Sequence, residues 1–419
     1  MRAASLCLIP AFGFILVLAW AAGAPERPRP APHRKPPGPA AALERGPKVV
    51  LVIHGGAGVL TAKEMKGEKL ENGDQMTRAH YEEALAEALQ AGYEALRQDK
   101  AAAHVDAVEA AVRVMEDSEL FNAGHGAALN HDGQAELDAA LMEGRMGTWK
   151  KGDPEGTKDP RKRAGAVAVV THIKNPISAA RAVMEMAEQR HVLLVAEGAE
   201  SFAFSEENRK RYPGKIEQVS NVYFWTARRL KDIRKEIADE EKRKMQAGNR
   251  LRREAGGGGR YHGTVGAVAL KGGTLAAGTS TGGLSNKLRG RVGDSPLIGG
   301  GTYADDRACA VSCTGTGEVF TRHAVAHDVV ARMVYGKDPV GAAAQQAIDQ
   351  LPDEEGGVGG LIALDKHGNP AFGMSKMSVG MYRGYVTENG EIYVAIYRKD
   401  QLARMTRGGK DRRWKKTKE

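Results

Sequence analysis

The run His262-Gly263-Thr264-Val265-Gly266-Ala267-Val268-Ala269-Leu270 decides how this chain is read. An apolar, β-prone stretch begins directly after a glycine and a threonine, which places Thr264 at the head of a buried strand. Taken alone, such a threonine is an ordinary strand start. Its chemistry offers a second reading. A threonine hydroxyl is a weak nucleophile near neutral pH and needs an adjacent base. If the Gly263–Thr264 bond breaks, Thr264 gains a free α-amine with a reference pKa of about 7.7–8.0. One residue then supplies nucleophile and base together. Gly263 suits the scissile position because it tolerates strained backbone and leaves its carbonyl open to attack.

Working outward, Val265 to Leu270 and Thr274 to Ser280 read as strands around the tight turn Lys271-Gly272-Gly273. This hairpin would bring Thr279-Ser280-Thr281-Gly282-Gly283 beside Thr264. Next comes Asn286 to Pro296, in which Arg291 and Asp294 can grip a zwitterion: a guanidinium takes an α-carboxylate, and a carboxylate takes an α-ammonium. A surface ion pair is the alternative. In Ser312-Cys313-Thr314-Gly315-Thr316-Gly317-Glu318 a strand ends in alternating Thr and Gly before a helix, so exposed N–H groups and a hydroxyl can form an oxyanion hole. A phosphate-binding turn is the competing reading, but it lacks the P-loop lysine.

Upstream, Lys48-Val-Val-Leu-Val-Ile is a buried strand entering the glycine loop His54-Gly55-Gly56-Ala57-Gly58. Helical spacing appears over Thr77 to Arg97 and from Asp106. Ala164 to Ile173 and His191 to Val195 read as strands, and Asn175-Pro176 starts a helix. Tyr223 to Glu254 is densely charged and helix-prone, and four glycines follow it. This is a surface helix and connector, or a segment that delivers Thr264 to its cleavage site, or both. Downstream, Ala308 to Thr314 is a strand, and Gly317 to Tyr335 and Pro339 to Leu351 read as helices. Gly359 to Leu364, Ala371 to Met374 and Ile392 to Ile396 read as strands.

The 419 residues hold 52 glycines, 5% aromatics and a formal charge of +9. The charge excess is local. Between Arg404 and Glu419, eight basic residues face only Asp411 and Glu419, and a terminal charge run is expected to be solvated. No nucleic-acid partner is therefore expected. Cys309 and Cys313 would lie about 13 Å apart on an extended strand, too far for a disulfide, and no zinc pattern is present. Residues 1–24 read as a secretory signal peptide, with small residues and prolines after the apolar stretch favouring removal over a single anchor. Residues 25–47 carry eight of the 17 prolines and read as an extended arm. The product would be secreted or periplasmic, without a stable membrane span.

The motifs together carry a resemblance. Ile53-His-Gly-Gly-Ala-Gly58, Phe121-Asn-Ala-Gly124, Glu136-Leu-Asp-Ala139, His262 to Ala267, Thr279 to Gly283, Gly290 to Pro296 and Thr314 to Glu318 occur in one order. The sequence resembles the isoaspartyl peptidase/L-asparaginase (plant-type asparaginase) family of N-terminal-nucleophile (Ntn) hydrolases from about Lys48 to Tyr385. The resemblance implies an α+β fold, a four-layer αββα sandwich cut into an α subunit (48–263, with a charged linker over 204–260) and a β subunit (264–419, with a basic tail over 403–419). It implies a homodimer of αβ units.

It also implies roles. Thr264 would be the nucleophile, and Gly263–Thr264 the bond that autocleavage breaks. Thr281 would polarise Thr264, Arg291 and Asp294 would hold the substrate head, and Thr314 and Gly315 would form the oxyanion hole. Gly315 and Gly317 would line the pocket, with Asn122 packed near the nucleophile. No organic cofactor is implied, but a structural sodium ion is, held by carbonyls of Met115, Glu116, Ser118, Phe121, Ala123 and His125. The implied reaction releases aspartate from isoaspartyl dipeptides or L-asparagine. A glycosylasparaginase-like amidase and an uncleaved secreted amino-acid-binding protein are the alternatives.

Overall fold

The computed structural model describes residues 47–145, 163–186, 191–246, 263–352, 358–408 and 413–417. The leader, all of the proline arm but Pro47, and the four glycines before the Thr264 strand lie outside the described residues.

The first half runs β1 (Val49–Gly56), α1 (Ala62–Met65), α2 (Arg78–Leu96), α3 (Ala103–Glu116), β2 (Leu137–Glu143), β3 (Ala164–Val170), α4 (Pro176–Met184), β4 (Leu193–Val195), α5 (Ala196–Ala203), α6 (Glu206–Arg211) and α7 (Ala227–Gln246). The second half runs β5 (Val265–Lys271), β6 (Thr274–Thr281), β7 (Thr302–Ala304), β8 (Cys309–Gly315), α8 (Gly317–Arg322), α9 (Val325–Ala331), α10 (Val340–Asp349), β9 (Gly359–Asp365), β10 (Pro370–Met374), β11 (Gly380–Thr387), β12 (Ile392–Tyr397), β13 (Ala403–Arg407) and β14 (Trp414–Lys416).

Ten strands form one sheet in the order β14-β13-β12-β11-β1-β5-β6-β2-β3-β4, and four form a second in the order β10-β9-β8-β7. The sheets stack, with β8 and β9 lying on β1, β5 and β6. The period-2 alternation of strand side chains sorts each residue to one side or the other. In β1, Leu51 and Ile53 join Leu85, Leu89, Val108 and Val112 of α2 and α3, while Val52 turns inward to Val268, Ala310 and Ile362. In β8, Cys309, Val311 and Cys313 pack under α9 and α10 with Val329, Ala344 and Ile348. Ser312 and Thr314 take the other face, toward the large sheet. Both cysteines are buried and unpaired, as their strand spacing requires.

Three expectations change. The predicted helix over 317–335 is broken into α8, α9 and a π turn at 332–336. Ala324 adopts φ +46° between the first two, and the amides of Ala326 and His327 donate to the carbonyls of Gly300 and Gly299 instead of continuing the helical ladder. The basic tail is not wholly solvated, because β13 and β14 extend the sheet edge. Met405 is buried there, Lys416 pairs with Glu82 at 2.8 Å, and Arg407 lies over the Trp414 ring. Lysines and arginines on a sheet edge also discourage pairing with another chain. Finally, β2, β7 and β11 are strands the sequence reading did not assign; glycine and arginine dilute the apolar signal of β11.

Candidate active site

The β5–β6 hairpin builds the centre of the site. Gly272 and Gly273 both have positive φ, at +58° and +84°, as a two-residue turn between twisted strands needs. The register Lys271↔Thr274 through Val265↔Ser280 then sets Thr281 across from Thr264. Thr264 Oγ1 donates to Thr281 Oγ1 at 3.1 Å, and Thr281 Oγ1 also accepts from the Gly283 amide at 3.0 Å. Asn122 stands behind this loop. Its Nδ2 donates to the Gly283 carbonyl at 2.7 Å and its Oδ1 accepts from the Ala128 amide at 2.7 Å.

Gly263 touches the β1 loop so closely that side chains are excluded from both. A Cβ on Gly56, which sits at φ +109°, would overlap the Gly263 backbone, and a Cβ on Gly263 would overlap Gly56. The glycines of His54-Gly55-Gly56 thus let two backbones cross at the bond before Thr264.

His54 is the residue of this loop to which the sequence reading assigned no role. The Thr264 carbonyl can only accept, so His54 Nδ1 donates to it, at 2.9 Å. Burial pushes the imidazole pKa down to about 3, with the Thr264 contact opposing, so the ring is neutral. Its Nε2 therefore accepts from Ser312 Oγ at 2.8 Å. Ser312 in turn accepts from Thr279 Oγ1 at 2.7 Å, and Thr279 from Thr302 Oγ1 at 2.6 Å. A chain of hydroxyls across both sheets thus fixes the tautomer of the group that holds the Thr264 backbone. Gly266 gives His54 and Ser312 their room, since a Cβ there would collide with both.

Thr264 opens into a pocket with about 430 Å3 of empty space counting its mouth, lined also by Thr281, Arg291, Asp294, Thr314 and Gly315. Thr314 Oγ1 accepts from the Ala57 amide at 3.2 Å, which anchors the glycine loop to β8. Asp294 is buried, and burial pushes its carboxyl up to about 7, with the Arg291 guanidinium opposing. Its Oδ2 has no hydrogen-bond partner among the described residues. Arg291 offers Nε and Nη2 to Glu318, both at 2.9 Å. Glu318 was not given a role by the sequence, yet it occupies the fork expected to take an α-carboxylate. Gly317 and Asn122 stand one layer back from Thr264. A Cβ on Gly317 would press on Arg291 and Asp294, so its lack of a side chain keeps the two groups placed.

The last residues of α3 and the loop after it carry the six carbonyls of the sodium expectation. The loop curls tightly enough that a Cβ on Gly124 would overlap the Glu116 carbonyl, and one on Gly126 the Phe121 carbonyl. Arg229 Nη2 donates to the Phe121 carbonyl at 3.3 Å, leaving one lone pair of that oxygen. Behind this loop the Glu116 carboxyl accepts from Ser280 Oγ at 2.6 Å and the Ile177 amide at 3.0 Å, and burial pushes it up to about 8. No His, Cys, Asp or Glu group that could hold a metal is present among the described residues.

Comparison with known proteins gives the class to which the chain belongs. The sequence pattern of a family described as asparaginase matches residues 47–396. An isoaspartyl peptidase of Salmonella typhimurium is 41% identical over 352 residues, covering 84% of this chain and 99% of its own. An isoaspartyl peptidase of Escherichia coli is 39% identical, covering 84% of this chain and 97% of its own. A plant-type L-asparaginase of Pyrococcus furiosus is 37% identical, covering 77% and 92%. By class the chain is an amidohydrolase. It belongs to the asparaginase family.

Proposed function

We propose that the chain cuts itself between Gly263 and Thr264 and then hydrolyses isoaspartyl dipeptides, L-asparagine or both, releasing aspartate. One observation carries this reading: the residue after the glycine crossing has its hydroxyl on Thr281 and opens into a pocket holding a guanidinium and a buried carboxyl. Glycosylasparaginase-like amidase activity and amino-acid capture without turnover are the weaker alternatives. The second predicts no cleavage.

In the processed enzyme the Thr264 α-amine takes the proton of its own Oγ, directly or through one water, and Oγ attacks the side-chain carbonyl carbon of the substrate. Thr281, whose hydroxyl faces Oγ, holds it in line. The tetrahedral oxyanion faces the Thr314 hydroxyl and the Gly315 amide, which line the same pocket. Collapse expels ammonia or the amino group of the leaving amino acid, which takes the proton. Water then attacks the ester on Thr264 with the amine again as base, and aspartate leaves. Arg291 holds the α-carboxylate and Asp294 the α-ammonium throughout. For Arg291 this means exchanging Glu318 for substrate.

The fold of this reading is the four-layer αββα sandwich of Ntn-hydrolases, supported by the stacked sheets with helices packed outside each. Two processed units pair into a dimer. A sodium ion held by the carbonyls of Met115, Glu116, Ser118, Phe121, Ala123 and His125 would stiffen the loop behind Asn122 and takes no step in the chemistry.

Intact mass spectrometry beside Thr264→Ala tests the proposal. Two chains from the wild type, the second starting at Thr264, and one from the variant are expected. A wild type that stays whole while releasing no aspartate overturns it.

A further inference from the structure

Helix α7 looks from its sequence like a solvated charged rod, yet two of its arginines are buried. Arg228 is 7% exposed and Arg229 is 1% exposed. Arg228 Nη1 donates to Tyr81 Oη at 3.2 Å, and its Nη2 to the carbonyls of Glu119 and Leu120 at 3.2 and 3.1 Å. Arg229 donates from Nε to the Gly126 carbonyl at 2.5 Å and from Nη2 to Phe121. Among the described residues, the carboxylate in ion-pair contact with either guanidinium is Asp232, 3.5 Å from Arg229 Nη1. Among the described residues, Arg228 Nε has no hydrogen-bond partner, and Arg229 Nη1 has only the long contact to Asp232. Two buried cations thus face one carboxylate. Burial, and then Arg228 itself, hold the Arg229 guanidinium down to about 9. An uncompensated buried charge is costly, so this arrangement calls for an anion.

Both arginines line a second, small pocket, on whose wall Gly263 also lies, with Gly58 and Asn122. Gly263 also borders the Thr264 pocket. In the uncut chain Gly263 is an amide and carries no charge. Autocleavage changes that. Thr264 Oγ attacks the Gly263 carbonyl carbon and the amide nitrogen leaves as the Thr264 amine. Water then cleaves the resulting ester, restoring the hydroxyl and leaving a carboxylate on Gly263. The reaction therefore creates one negative charge beside a site short of one.

We infer that Arg228 and Arg229 form a receptor for the Gly263 carboxylate, which draws the new α-chain end out of the Thr264 pocket. A guanidinium binds a carboxylate through its N–H groups, and here each arginine brings one: Arg228 Nε, without a partner among the described residues, and Arg229 Nη1, held only by the 3.5 Å contact to Asp232. Capture neutralises the surplus charge and clears the space that substrate must enter. The inference rests on the self-cleavage reading.

The test treats processed wild-type enzyme with a broad-specificity carboxypeptidase and follows the α-chain mass. Gly263 is expected to be lost roughly tenfold or more slowly than from Arg229→Met, the factor of one charge-assisted hydrogen bond. Arg229→Lys, which keeps charge but not the fork, should fall between. Equal trimming of wild type and a folded Arg229→Met overturns the inference while leaving self-cleavage intact. Should Arg229→Met not fold, wild type decides alone: Gly263 lost as fast from native enzyme as from the same protein in urea overturns it, and protection supports it. A wild type that never cleaves removes the proposed function and this inference together.

Discussion

At the scale of single residues, Asp294 and His54 show burial serving opposite ends. Asp294 sits near pH 7 between its neutral and charged forms, and only the charged form grips an α-ammonium. In free enzyme the carboxylate is lost as pH falls through about 7. A bound ammonium favours ionisation and pulls that value down. We therefore expect kcat/KM to fall more steeply on the acid side than kcat: free enzyme loses both the Asp294 carboxylate near 7 and the unprotonated Thr264 amine, whereas in bound enzyme the amine alone sets the limb. Matching acid limbs in the two profiles would contradict this. His54, held near 3, stays neutral across the working range and acts through position. Once cleaved, Thr264 is a chain end, and the His54–carbonyl bond is one of the few contacts that fix it. His54→Ala should lower kcat by about 10- to 100-fold, the worth of a buried hydrogen bond, with KM changed far less. His54→Asn keeps a donor near the Nδ1 position and should recover part of the loss. Steady-state kinetics on processed protein decide.

At the scale of elements, the hairpin was legible because its signals are local. Two glycines fix the turn, the turn fixes the register, and the register sets Thr281 against Thr264. The Arg291–Asp294 loop was legible as a pair of complementary charges. Glu318 at Arg291, the hydroxyl chain from Thr302 to His54 and the buried arginines of α7 were not, because each joins residues far apart in sequence by packing alone. The tail misled for a related reason. Ala403 and Met405 alternate with arginine and threonine, a half-buried pattern too short to outweigh the surrounding charge. Deleting residues from 403 onward removes two edge strands, the Met405 contact and the Lys416–Glu82 pair. Cleavage should proceed, but the melting temperature should drop by about 1 °C for each kcal/mol lost, given an unfolding entropy of about 2.1 cal/mol/K per residue over this length. A melting temperature unchanged by the deletion would return the tail to solvent.

At the scale of the molecule, a cut before Thr264 does not divide the fold into two bodies. In the large sheet, β1 from the first segment lies between β11 and β5 of the second, and β6 of the second pairs with β2 of the first. The segments alternate across the sheet, so neither can leave without stripping the other of central strands whose backbone groups are buried and paired. Cleavage costs no ladder hydrogen bond, because Thr264 precedes β5. Processed protein should therefore elute from a native sizing column as one species and separate into two chains only in denaturant. Light scattering should give about twice the 44.9 kDa of the chain, less any leader removed, if two units pair as proposed. Chains that part under native conditions would contradict the interleaved sheet. Co-elution at the mass of a single unit would keep the interleaving and reject the dimer, which separates a property of the strand order from a property of the surface.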